Sequence, residues 1–320
     1  MAVFTAVSDQ ELAHWLTRYD VGALVAARGI ADGIENTNYF VDTAGGAWVL
    51  TLIERIAPAD LPFHLRLMKH LATRGIRCPE PVADRGGALW SPLAGKPATL
   101  VTRLAGHPVD APAPVHCAAL GRLLARMHLA AADFGAAPPN PRGRDWWADA
   151  VRQLHDRLPV ATAALVDDEL AAQQRFAATP AAAALPVSPV HADCFRDNVL
   201  FDGDDPGIID FYFAGVDSWG FDLAVACNDW CIDAAGRLDP PRVAALFTGY
   251  QAVRPLLPAE RTAWPMLLRA AALRFWLSRL YDHFLPRDAA MLRPKDPATF
   301  ERILAARRDA PALLPPPATD

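Results

Sequence analysis

Apolar positions near the start of the chain repeat with a helical period. Leu12, Trp15 and Leu16 share one face of a helix predicted over 8–19. Ser8-Asp-Gln-Glu11 opens it as a capping box, in which the Ser hydroxyl meets the Glu11 amide and the Glu11 carboxylate reaches back. Residues 24–53 then alternate like strands around turns, and Gly45-Gly46 leads into Trp48-Val-Leu-Thr-Leu-Ile53. A helix over 61–73 and a strand over 98–104 follow. Past Pro112 and Pro114 the helical period returns: Leu120, Leu123, Leu124, Met127 and His128 predict a helix over 116–132. Trp146-Trp147 opens another helix. An Ala-rich helical region ends at Pro180 and Pro186 and reads as surface helix plus linker. Further helices are predicted from near Phe221 and across the stretch from Arg269 to Asp282.

Between the Ala-rich region and Phe221 the pattern shortens. Val199-Leu-Phe201 and Gly207-Ile-Ile209 are two short apolar runs joined by Asp202-Gly-Asp-Asp-Pro206. They predict a hairpin that brings Asn198, before the first strand, close to Asp210, after the second. Asp193 lies five residues before Asn198. Mg2+ favours hard oxygen ligands, usually one or two carboxylates plus phosphates. Asp210 and the amide oxygen of Asn198 can share such a cation, which leaves Asp193 to accept a proton from a hydroxyl. This order matches a phosphoryl-transfer catalytic loop. Any one of these residues alone would read as a turn or cap residue; the ordered set carries the functional reading.

Composition narrows the class. The chain has 320 residues, 52% hydrophobic, with a net charge of −5, which offers no basic face for nucleic acid. No uninterrupted apolar run is long enough to span a bilayer, and the first residues lack the pattern of a signal peptide. A cytoplasmic, soluble protein is expected. The five Cys (Cys78, Cys117, Cys194, Cys227 and Cys231) are odd in number and scattered, against a disulfide framework. Cys194 adjoins Asp193, but no His stands in an order that would make it a thiol nucleophile.

The stretch His191-Ala-Asp193 through Asn198-Val-Leu-Phe to Ile-Ile-Asp210-Phe resembles the aminoglycoside phosphotransferase and choline kinase family, whose usual wording is His-Gly-Asp-x-x-x-x-Asn and then Ile-Asp-Phe. Glu35-Asn-Thr-Asn-Tyr39, Ala-Ala-Leu-Arg274-Phe-x-Leu-x-Arg279-Leu-Tyr-Asp and Arg293-Pro-Lys-Asp-Pro297 are similar to the homoserine kinase branch of that family. The resemblance runs from Ser8 through Pro297. It implies a two-lobed, protein-kinase-like α+β fold, with a small antiparallel-sheet nucleotide-binding lobe over 1–104 and a helical lobe with the catalytic loop and substrate site over 105–320. It implies ATP and Mg2+ as cofactors and L-homoserine as the small-molecule substrate, with Asp193 catalytic and Asn198 and Asp210 on the metal. Gly33, Asn36, Asn38 and Thr51 would line the nucleotide, and backbone groups near Val101 and Arg103 would face adenine. Asp222 would support the loop from behind or simply sit in the first turn of a helix. His128, on an apolar face, reads as a satisfied core residue. The oligomeric state stays open.

Two features depart from the pattern. Kinases place a phosphate-gripping Lys on the third strand, paired with a Glu on the next helix. Here the three Lys are Lys69, Lys96 and Lys295, Thr51 occupies the strand position, and 61–73 contains no Glu. Lys69, Arg55 or Arg196 would then supply the cation, Arg196 standing where homoserine kinases carry Pro; each is equally readable as a solvated charge. Homoserine has an ammonium and a carboxylate, for which Asp229, Arg274 and Arg279 are candidates, with a solvated helix face as the bland alternative. Another small alcohol as acceptor, or a non-catalytic nucleotide-binding scaffold, stays open beside this reading.

Overall fold

The computed structural model describes residues 5–30, 36–285, 295–310 and 314. Gly33 lies outside them, as do Glu35, Arg293 and nearly all of the Pro-rich tail. The chain forms two compact units, one running to Ala105 and the other beginning at Gly106.

The first unit is built on an antiparallel sheet of β1 (Leu24–Gly29), β2 (Thr37–Thr43), β3 (Gly46–Leu52), β4 (Ser91–Leu93) and β5 (Lys96–Thr102), in the order β1-β2-β3-β5-β4. Alternation in β2 turns Thr37, Tyr39, Val41 and Thr43 inward. Helix α1 (Asp9–Leu16) carries the expected capping box and buries Leu12, Trp15 and Leu16 in the core that holds Val41, Leu50, Leu52 and Leu100. Helix α2 (Leu61–Thr73) buries Leu61, Leu65, Leu67, Met68 and Leu71.

The second unit is mainly helical: α3 (Pro114–Ala131), α4 (Arg144–Leu154), α5 (Val160–Ala177), the short α6 (Pro180–Ala183), α7 (Trp219–Trp230), α8 (Pro240–Gln251), α9 (Pro258–Phe284) and α10 (Ala298–Asp309). Two small antiparallel ribbons sit among them: β6 (Val187–Val190) with β9 (Gly215–Ser218), and β7 (Val199–Asp202) with β8 (Asp205–Ile208). Every residue of α7 except Asp229 is buried. All five cysteines are buried and free. No helix among the described residues is long and apolar enough to cross a membrane.

Two elements differ from expectation. The Ala-rich α5 is more than a surface helix. Its Glu169 is fully buried and accepts hydrogen bonds from Arg269 on α9, Arg308 on α10 and Gln173. Helix α10 was not anticipated, although Phe300, Ile303 and Leu304 recur at helical spacing and are buried.

Helices α3 and α8 cross at two glycines. A Cβ at Gly249 would lie 2.0 Å from the Ala118 carbonyl oxygen, and one at Gly121 would lie 2.1 Å from that of Leu246. Neither contact can yield without moving backbone. Gly249→Ala gains helix propensity of about 1 kcal/mol but must part the helices, an overpacking cost of about 1–3 kcal/mol at this site alone. Urea unfolding should therefore give a lower midpoint for the variant than for the wild type; an equal or higher midpoint would mean the crossing has slack.

Candidate active site

Strand β6 ends at Val190 and releases the segment that begins at His191. Ala192 there takes a left-handed conformation (φ 62°), where the family wording has Gly; a side chain in this region costs roughly 1–2 kcal/mol. What holds it is Asp222, in the first turn of α7. Its carboxylate accepts the backbone N–H of His191 at 3.2 Å and of Ala192 at 2.7 Å. The same carboxylate accepts from Nε2 of His128 at 3.1 Å. Burial pushes the Asp222 pKa up, but His128, His191 and the Ala192 amide outweigh it and hold the carboxyl below its ordinary value.

Behind Asp222 runs a chain of buried hydrogen bonds. Nδ1 of His128 meets the Tyr250 hydroxyl at 2.9 Å, Arg254 donates to that hydroxyl at 3.2 Å, and Glu260 accepts from both terminal nitrogens of Arg254 at 2.9 and 2.6 Å. Because Arg254 can only donate, the Tyr250 proton turns to Nδ1 of His128, and Nε2 of the ring faces Asp222 as a donor. His128 is thus the satisfied core residue that its apolar setting suggested, and Asp222 supports the loop from behind. Nothing local marked Tyr250, Arg254 or Glu260 as its partners.

His191 fixes the loop from the front. Its Nδ1 accepts the Asp193 amide at 3.2 Å, so Nε2 carries the proton and donates to the Ile209 carbonyl at 2.8 Å. Burial lowers the His191 pKa, consistent with this neutral form. The ring meets Phe211 edge-on, with centroids 4.7 Å apart.

The hairpin forms as expected. Val199 pairs with Ile208, and the Ile209 amide donates to the Asn198 carbonyl at 2.9 Å, which sets Asp210 one residue beyond Asn198's partner. Asp210 is itself left-handed (φ 66°, ψ 66°), and Phe211 follows it into the core. The Asn198 amide nitrogen donates to the Asp193 carbonyl at 2.8 Å and to its carboxylate at 3.0 Å, which directs the amide oxygen away from Asp193. Burial raises the Asp193 pKa, against the pull of Arg274, whose guanidinium lies 3.8 Å from the carboxylate, and of His191. Among the described residues no three His, Cys, Asp or Glu side chains cluster to hold a metal. Asn198 and Asp210 suit instead a hard cation that takes its other ligands from phosphate and water. Cys194 is fully buried, and burial together with Asp222 and Asp193 pushes its thiol well up, so it is no nucleophile.

Other predicted residues find partners of their own. Arg196 is engaged by protein groups on both sides. It holds Asp229 through Nε at 3.1 Å and a second nitrogen at 3.3 Å, and donates to the Asp110 carbonyl at 2.7 Å. Arg279 donates to the Asp296 carbonyl and lies over Phe300. In the first unit, the Thr51 hydroxyl donates to the Asn38 side chain at 2.7 Å, and the buried Asn36 accepts the Glu54 amide. Val101 is buried between Val49 and Pro81. The Arg103 amide donates to the Ala47 carbonyl and its guanidinium lies over Phe40, so both serve their own sheet. Arg55 is exposed and Lys69 half-buried. A Lys–Glu pair does exist here, displaced from the usual positions: Lys96 on β5 meets Glu54 at 2.9 Å, just past the end of β3. Sequence reasoning also passed over Arg142, whose guanidinium lies over Trp146 and Phe213.

This loop, hairpin and supporting helix define a phosphotransferase. The model of the phosphotransferase enzyme family matches residues 26–256, and the chain belongs to that family. More particularly, it is 52% identical to a homoserine kinase of Polaromonas naphthalenivorans over 98% of this chain and 100% of that protein, and 49% identical to a homoserine kinase of Paraburkholderia phymatum with the same coverage. Its α+β, protein-kinase-like fold is shared with solved structures of low identity. An amicoumacin kinase in complex with AMP-PNP and Ca2+ superposes with a TM-score of 0.72 at 16% identity, covering 97% of this chain and 96% of that one. A choline kinase of Cryptosporidium parvum gives 0.67 at 12% identity, covering 89% of each.

The depressed Asp222 pKa has a signed consequence. Its stability contribution is fully present above the unfolded-state value of about 3.9 and is lost as pH falls through the folded value. Asp222→Asn should cost about 3 kcal/mol at neutral pH, because buried donors lose their anion. The gap from wild type should close below about pH 4. Chemical unfolding of both proteins across pH 3–7 checks this; a gap that stays constant with pH would mean the charge is not what stabilises the loop.

Proposed function

We propose that this chain is an ATP-dependent homoserine kinase that makes O-phospho-L-homoserine, a step in threonine biosynthesis. The observation that carries the reading is the Asp193–Asn198–Asp210 arrangement in a chain about half identical to curated homoserine kinases over nearly its whole length. The Asp193 carboxylate, anchored by Asn198 and fed by a loop locked on both sides, accepts the proton of the acceptor hydroxyl. The hydroxyl oxygen forms a bond to the γ-phosphorus, the bond to the bridging β–γ oxygen breaks, and ADP departs with that electron pair. Asn198 and Asp210 hold Mg2+, which neutralises charge on the phosphates when bound. Arg196 and Asp229 brace the segment between Asp193 and Asn198, a positioning role in place of phosphate contact. The unit before Gly106 binds the nucleotide, with Asn36, Asn38 and Thr51 as polar groups toward it. Catalysis rests on positioning and charge neutralisation. The reading places the enzyme in the cytoplasm.

ADP release with Mg2+-ATP should depend on L-homoserine and exceed that with choline or ethanolamine. Asp193→Asn should lower kcat by about 100- to 10,000-fold, the usual worth of a positioned base. Release with a different alcohol would overturn the substrate, and release undiminished in the variant would overturn the role of Asp193.

A further inference from the structure

Asp193 sits on a loop, and a loop residue keeps its aim only where the segment around it is packed. Two positions on, Phe195 meets Phe275 of α9 edge-on, with centroids 4.4 Å apart, and Phe300 of α10 edge-on at 6.0 Å. Phe275 and Phe300 lie 5.2 Å from each other, so the three rings close a triangle. Phe275 and Phe300 are both buried, and the Arg279 guanidinium lies 4.5 Å over Phe300. On its other side Phe275 carries the Arg274 guanidinium at 3.7 Å, and Arg274 reaches to 3.8 Å from the Asp193 carboxylate. Helix α10 is anchored apart from these rings. Arg308 donates to Glu169 of α5, and Arg307 donates to the Asn228 side chain and the Gly236 carbonyl, both at 3.0 Å. Just before the helix, Lys295 lies 3.5 Å from Asp197 of the same loop.

We infer that Phe300 is a positioning residue for the phosphoryl transfer. Through Phe195 it sets the loop that bears Asp193, and through Phe275 it sets the guanidinium that faces Asp193. The inference rests on the reading of Asp193 as the base. It brings into the reaction a helix that lies past residue 256, where the match to the phosphotransferase family ends. Rings that meet edge to face resist sliding, because edge and face carry opposite partial charge. Two such contacts on Phe195 fix its direction as well as its spacing. A Leu in place of Phe300 fills much of the same space without that directionality. The consequence reaches the chemistry because a reacting group misplaced by about 1 Å lowers the rate by as much as about 100-fold. The anchors of α10 at Glu169, Asn228 and Gly236 keep Phe300 in place whatever the loop does, so the helix acts as the fixed side of the contact.

Phe300→Leu, assayed with Mg2+-ATP and L-homoserine, should lower kcat about ten-fold or more. Both KM values should hold within about two-fold, the pattern of an interaction felt in the transition state. Ile303→Val is the control. Ile303 is as buried as Phe300 on the same helix but packs beside Gly236, and its kcat should stay within about two-fold of wild type. Phe195→Leu should lose about as much as Phe300→Leu. The double variant should lose little more than the larger single loss, because both act through one contact. An unchanged kcat in Phe300→Leu, losses that multiply in the double variant, or a rise in KM in place of the fall in kcat would overturn the assignment. An equal fall in Ile303→Val would do the same, by making α10 a matter of folding alone. If Phe300→Leu does not fold, Phe195→Leu decides: this ring is only half-buried, and an unchanged kcat there would overturn the assignment. A wild-type protein that releases no ADP with homoserine, choline or ethanolamine would instead sink the reading of Asp193 as the base, and this inference with it.

Discussion

The active loop depends on one buried carboxylate. Asp222 is fully buried, and taking a charge out of water is costly unless donors surround it. Here they do: two backbone amides from one side and an imidazole from the other. The arrangement works in both directions. The amides and His128 make the anion tolerable, and the anion makes tolerable a loop that bends through a left-handed alanine. Removing either partner would expose the cost of the other. Asp193 owes its position to this balance, since its own amide is held by the neighbouring His191.

That dependence explains which parts of the molecule were legible in the sequence. The hairpin was readable because it is local: two apolar runs, turn residues between them, and polar groups at both ends. Asp222 was readable as a support only through family resemblance, because an Asp in the first turn of a helix is unremarkable by itself. The partners behind it were not readable at all. Tyr250 lies 122 residues from His128 in sequence, and no periodicity reports which two helices will cross. The pairing of Arg196 with Asp229 was hidden for the same reason, its counter-ion being 33 residues away on a helix whose orientation the sequence does not reveal. Glu169 lies in the Ala-rich stretch that reads as a surface helix, and only the packing of α9 and α10 makes it a buried junction of arginines.

The missing third-strand Lys and its Glu illustrate a different limit. Their absence was plain from composition, and the structure adds that unit one keeps a Lys–Glu pair at another place, between Lys96 and Glu54. Glu54 also accepts from the hydroxyls of Thr5 and Thr37, and these partners together overcome burial and lower its pKa. The pair ties the end of β3 to β5 and to the chain before α1.

The glycine crossing of α3 and α8 and the hydrogen-bonded chain behind the loop belong to a single piece of construction. Tyr250 follows Gly249 directly, and His128 lies two turns along α3 from Gly121. The spacing that the glycines allow is the spacing at which the Tyr250 hydroxyl spans to His128. Interhelical distance, ordinarily a matter of packing alone, here sets the length of a bond that ends on the backbone of the loop bearing Asp193. An engineer who sought a sturdier protein by giving these helices larger residues would be retuning the catalyst from some way behind it, and natural drift at the same two positions would be limited by turnover as much as by folding.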